Sequence, residues 1–232
     1  MATTMLPSPH DVLSVVEEEM VNAGGKVVGC VMDDRRLFLR GVLAPAREVR
    51  EDDAVRGGVA VMMDDLTVHV HPFTYREVCR NGAIMACVLD TRRIQRIDSD
   101  AVPYGVYEVM RAIRDAVREC CDPKVFLTLV KQLRRAASTP VDLDISVLLE
   151  LVPLGRRVSA EILSEIMTEY VEEVDESMFG VMNAVTRVAR DEPDPVVRWD
   201  LEELGGAIPA MLRNRPKPSN RSADVLQPAF RT

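Results

Sequence analysis

The stretch that decides the fold is His71-Pro72-Phe73-Thr74-Tyr75-Arg76-Glu77-Val78-Cys79-Arg80-Asn81-Gly82. It follows Leu66–Val70, a run rich in β-branched residues that reads as a strand. It closes on Asn81-Gly82, a turn signal that supplies positive φ. Pro72 suits the first turn of a helix, where its missing N–H costs no hydrogen bond. The reading is a short helix over Pro72–Arg80, with Phe73 and Val78 facing a sheet. Asn81-Gly82 closes that helix, and a further strand follows over Ala83–Leu89.

Upstream, the period is that of strands. Lys26–Met32 and Arg36–Leu43 form a hairpin around Asp33-Asp34, and Gly57–Met63 pairs with Leu66–Val70 around Asp64-Asp65. Pro45–Arg56 is charged and poor in large apolar groups, which reads as a loop. Asp11–Met20 forms a short amphipathic helix stopped by Asn22-Ala23-Gly24-Gly25. Downstream the chain turns helical. Val106, Val109, Met110, Ile113, Val117 and Cys120 recur at helical spacing. Asp122-Pro123 opens a helix to Ala137, and Thr139-Pro140 opens another to Leu149. Ser159–Glu173, Ser177–Ala189 and Val196–Leu212 complete the series. Strands first and helices second give an α+β protein: a small, mostly antiparallel sheet with packed helices, then a helical C-terminal half. The divisions are 1–24 (arm and short helix), 25–137 (α+β core), 138–212 (helices packed on the core) and 213–232 (a disordered basic tail).

The 232 residues are 47% apolar and 28% charged, a globular composition, with only 4% aromatics but 12 Met, so the core is aliphatic. The formal charge is −8. Arg213, Arg215, Lys217, Arg221 and Arg231 against Asp224 give the tail +4, which leaves an acidic body of −12. That balance argues against nonspecific coating of nucleic acid and suits a basic partner or a nucleic-acid mimic. Five Cys, an odd number without a Cys-x-x-Cys pair, point to a reducing cytoplasm. No signal peptide and no apolar run of membrane length are present, so no membrane is expected.

The decisive stretch resembles the Pro-Phe-x-x-Arg-x-x-Cys-x-Asn-Gly signature of a phage- and plasmid-like protein family known as a domain of unknown function. Pro72, Phe73, Arg76, Cys79, Asn81 and Gly82 carry the match. Phe179-Gly180-Val181-Met182-Asn183-Ala184-Val185-Thr186-Arg187 is similar to that family's C-terminal helix, so the resemblance spans roughly residues 25–212. It departs at His71, where the family more often has Asn. The resemblance implies association with a phage, plasmid or genomic island. In topology, a unit of three strands and a helix also looks like ring-forming single-strand-annealing proteins.

Several residues invite a chemical reading. Arg76 serves either as an anion ligand or as a partner of Asp64 or Asp65. Cys79 is either a reactive thiol or a small core residue. His69 and His71 share one strand face, the geometry of two metal ligands or of a wet strand end. Asp33-Asp34 and Asp64-Asp65 are paired carboxylates for two-metal chemistry or, more economically, turn residues. Arg111, Arg114 and Arg118, with Lys131, Arg134 and Arg135, would form a basic strip tracking a phosphate backbone, although Asp115 and Glu119 lie among them. No nucleotide-binding, zincin or hydrolase motif is present. The reading is a non-catalytic, cofactor-free, mobile-element accessory protein that binds single-stranded DNA or RNA or a nucleoprotein complex, as a homo-oligomer. The alternatives are a metal- or thiol-dependent enzyme using His69, His71 and Cys79, and an acidic protein-interaction module.

Overall fold

The computed structural model describes residues 7–86, 92–95, 105–141 and 158–211. Helix α1 (Pro9–Asn22) starts from a capping box: Ser8 Oγ accepts from the Asp11 N–H, and the Asp11 carboxylate accepts from the Ser8 N–H. Strands β1 (Gly25–Met32), β2 (Leu37–Arg50), β3 (Asp53–Met63), β4 (Thr67–Arg76) and β5 (Asn81–Ile84) follow as an antiparallel meander in that spatial order. Strand β6 (Arg92–Gln95) pairs with the first half of β4. Helices α2 (Val106–Cys120), α3 (Pro123–Ala137), α4 (Ala160–Glu173), α5 (Met178–Asp191) and α6 (Pro195–Met211) complete the chain. The architecture is α+β, with the helices concentrated in the C-terminal half.

Several expectations are corrected. Pro45–Arg56 is not a loop: β2 and β3 extend through it, around Glu51 and Asp52, with Asp52 at φ 59°. Alternation drives the extension, since Val49 and Val55 are buried on one face. Pro72–Arg80 is not a helix. Strand β4 runs to Arg76, paired with β3 throughout, and the chain turns at Glu77–Arg80 with Arg80 at φ 54°. Pro72 lies where pairing with β6 ends and pairing with β5 begins, so its missing donor interrupts neither partner strand. The positive φ belongs to Arg80, not to Asn81-Gly82. Gly82 is required because a Cβ there would collide with the Phe73 ring and the Thr74 carbonyl. The Asp turns hold: Asp33 Oδ1 accepts from the N–H groups of Arg35 and Arg36, and Asp64 Oδ1 from those of Leu66 and Thr67. Thr139 and Pro140 open no helix at that point, since Pro140 bridges Ser177; the rest of that expected helix, like the tail, lies outside the described residues.

One sheet face, with Leu39, Val61 and Val70 aligned across β2, β3 and β4, buries against α1 and α2. Further along that face, Val49, Val55 and Ala83 join a cluster with α3, α4, α5 and α6. The opposite face carries Phe38, Val42, Ala60 and Phe73, which receive Trp199 of α6. Helix α6 reaches both layers by passing the β5 edge, where the Gly206 backbone abuts the Ile84 carbonyl so closely that no Cβ fits. Apolar burial of this kind is the main stabilising term.

Candidate functional site

The signature residues and the α5 stretch meet in space. Alternation along β4 sends Phe73 to the Trp199 face and Arg76 to the α5 face. Arg76 donates from Nε and Nη2 to both oxygens of Asp53, each at 2.8 Å, and from Nη1 to Glu173 at 2.5 Å. The expected partners Asp64 and Asp65 are not used. Burial works against the Arg76 charge, but the hydrogen bonds it donates to Asp53 and Glu173 outweigh it and raise its pKa. Phe179 lies between two cations, with the guanidinium carbons of Arg50 and Arg76 each 5.6 Å from its ring centre. Arg50 also pairs with Asp175 at 2.6 Å and donates to Ser177 Oγ and the Ala137 carbonyl.

Cys79 sits at the rim of this cluster in the β4–β5 turn. Its Sγ receives N–H groups from Arg76 Nη1 and Arg187 Nη2, both at 3.3 Å, and its carbonyl accepts from Arg190 at 2.8 Å. Arg187 also pairs with Glu169 at 2.9 Å, and Arg190 with Asp191. The arginines are thus balanced by Asp53, Glu169, Glu173 and Asp191, and the sulfur belongs to a closed ionic cluster. The sequence reading found Phe179 and Arg187 through the helix motif. It missed Arg50, Asp53, Glu173 and Arg190, whose partners lie far away in the chain.

Beneath the turn, Asn81 Nδ2 donates to Thr186 Oγ1 at 2.6 Å, and that hydroxyl donates on to the Met182 carbonyl at 3.0 Å. Asn81, Asn183 and Thr186 are all buried. Among the described residues, the Asn81 Oδ1 and both polar side-chain atoms of Asn183 have no hydrogen-bond partner.

The histidines belong to another place. His71 is 1% exposed on the α6 face, 5.8 Å from the Trp199 ring and 5.9 Å from His69. Its Nε2 is 3.5 Å from Glu203, too long for a good hydrogen bond, and neither ring nitrogen has a hydrogen-bond partner among the described residues. Burial, with His69 adding to it, lowers its pKa from 6.5 to about 4. In the same cross-strand row, Arg40 makes a buried ion pair with Glu202. Cys79 has arginines for neighbours, so no Cys–His pair forms. Among the described residues no three His, Cys, Asp or Glu side chains group as metal ligands.

The basic strip is largely committed to the fold. Arg114 reaches Glu18 and Glu19 at 2.8 and 2.9 Å, and Arg118 closes on both oxygens of Glu19. Arg134 donates twice to the Glu48 carbonyl. Arg111 and Lys131 are exposed, as is Arg135, which has a partner.

An open groove of about 830 Å³ separates α4 from the end of α5, lined by Glu161, Glu165, Glu169, Asp191 and Glu192. Ion pairs hold Glu169 and Asp191; Glu161, Glu165 and Glu192 make none among the described residues. No helix among the described residues is long and apolar enough to cross a membrane. No family model, no curated protein and no solved structure matches the chain.

Proposed function

We propose that this protein is a non-catalytic accessory protein of a mobile element that engages a nucleoprotein complex by binding a basic protein segment in its acidic groove. The single observation that carries this reading is the α4–α5 groove, where five carboxylates converge and three carry no ion pair among the described residues. Electrostatic complementarity steers a cationic partner to such a surface. The mobile-element context comes from the resemblance of Pro72–Gly82 and Phe179–Arg187. Arg114, Arg118 and Arg134 are already occupied by Glu18, Glu19 and the Glu48 carbonyl, which weighs against direct contact with phosphates. Free thiols at Cys30, Cys79, Cys120 and Cys121 support a reducing, cytoplasmic setting.

Fluorescence anisotropy with a labelled oligo-arginine peptide tests this reading, alongside a labelled single-stranded oligonucleotide. The peptide is expected to bind and the oligonucleotide not. Glu161→Lys, Glu165→Lys and Glu192→Lys together should abolish peptide binding, while Glu17→Lys, Glu51→Lys and Asp65→Lys, an equal charge change elsewhere, should retain it. Equal loss in both triples, or salt-sensitive binding of the oligonucleotide alone, would overturn the proposal.

A further inference from the structure

The two ends of the sheet are treated differently. The β5 edge is closed by the α6 backbone at Gly206. At the other end, β1 pairs only with β2, and among the described residues no strand or helix pairs with its outer edge. The strand reads Gly25-Lys26-Val27-Val28-Gly29-Cys30-Val31-Met32, with no proline and a single charge at its start. Its one protective irregularity is a bulge between Val27 and Gly29, which leaves Gly29–Met32 regular. Val28 and Val31 are 45% and 53% exposed, and Cys30 is exposed. An apolar edge with free backbone N–H and C=O groups is a template for another strand.

We propose that β1 is the interface for a second copy of this chain, which adds its own β1 antiparallel across a two-fold axis to give one continuous sheet. The charges choose this occupant. Lys26 is the only charged residue of β1, and the exposed Asp33-Asp34 turn follows its other end. Both Asp33 oxygens already accept hydrogen bonds, which leaves Asp34 as the available acid. Antiparallel pairing brings the Lys26 end of each β1 to the Asp33-Asp34 turn of the other copy, and a two-fold contact repeats that pairing at both ends. The bulge between Val27 and Gly29 adds one residue on the Lys26 side of Cys30, so a pairing centred near Cys30 sets Lys26 within reach of that acidic turn and covers the exposed valines. A parallel neighbour would instead set Lys26 beside Lys26. The inference is independent of the acidic groove, which lies on α4 and α5.

Sedimentation equilibrium of the full chain tests it, with a short bis-maleimide added to trap neighbouring thiols. The expected result is a reversible dimer that Val31→Lys makes monomeric without changing the far-UV spectrum or the melting temperature. The cross-linked dimer should be lost in Cys30→Ser. Lys26→Glu and Asp34→Lys should each weaken the dimer about tenfold, and the two together should restore it to within about threefold. A monomer at all concentrations would overturn the proposal, whether Cys30 is accessible or shielded by the chain's own segments. So would a dimer that survives Val31→Lys, or a charge swap that fails to rescue. Groove variants should leave the dimer intact, so failure here and failure of the peptide reading are separately visible.

Discussion

Arg40 of β2 and Glu202 of α6 form an ion pair at 2.7 Å with side chains only 7% and 2% exposed. The pair joins the sheet to the last helix, and Arg198 adds a second cation to Glu202 at 3.2 Å. Burial raises the Glu202 pKa despite these partners, because desolvation outweighs them.

Breaking that pair from one side leaves a buried charge alone. Arg40→Met or Glu202→Leu should each cost about 3–5 kcal/mol, and the double variant much less than their sum. Urea denaturation of the four proteins measures this; additive losses would show that the two residues act separately.

His71 makes stability depend on pH. Its folded pKa is depressed from 6.5 to about 4, so the folded state holds the ring neutral while the unfolded chain takes up a proton. This contribution is present above pH 6.5 and is lost as pH falls towards about 4, on the order of 3 kcal/mol in all. Denaturation at pH 7 and pH 5 should show the drop, and His71→Phe should shrink it.

Asn81 and Asn183 are both buried but differ in partners. Asn81→Leu removes a donor to Thr186 and should cost about 1–3 kcal/mol, whereas Asn183→Leu discards two unpartnered polar atoms and should be neutral or stabilising. Thermal melts decide. A large loss in Asn183→Leu would reveal a bridging water.

The α2 arginines should matter to stability rather than to nucleic acid. Arg111→Ala, Arg114→Ala and Arg118→Ala together strip Glu19 of both its cations, and Glu19 is 3% exposed. The expected result is a lower melting temperature with oligonucleotide binding unchanged at its low level. Loss of binding without loss of stability would restore the basic strip as a ligand surface.

What the sequence disclosed was local. The Asp122-Pro123 start of α3, the glycine stop after α1 and the Asp33 and Asp64 turns each depend on neighbours within a few residues. Pro72 misled because two backbones tolerate proline, a helix start and a gap in a ladder, and only the partner strands distinguish them. The β2–β3 extension was hidden because Val49 and Val55 are its only large apolar groups on the buried face. The ionic cluster was hidden for another reason: Arg76 finds Glu173 across 97 residues, a distance over which periodicity is silent.

The span from Arg40 to Glu202 is 162 residues. On a ribosome, the meander is therefore complete well before its central arginine can be neutralised, and the α6 face of the sheet waits for Trp199 and Glu202 to emerge. Until then that face is exposed with an unpaired cation at its middle, so the nascent chain is most open to aggregation and to chaperones late in synthesis, when most of it has already been made.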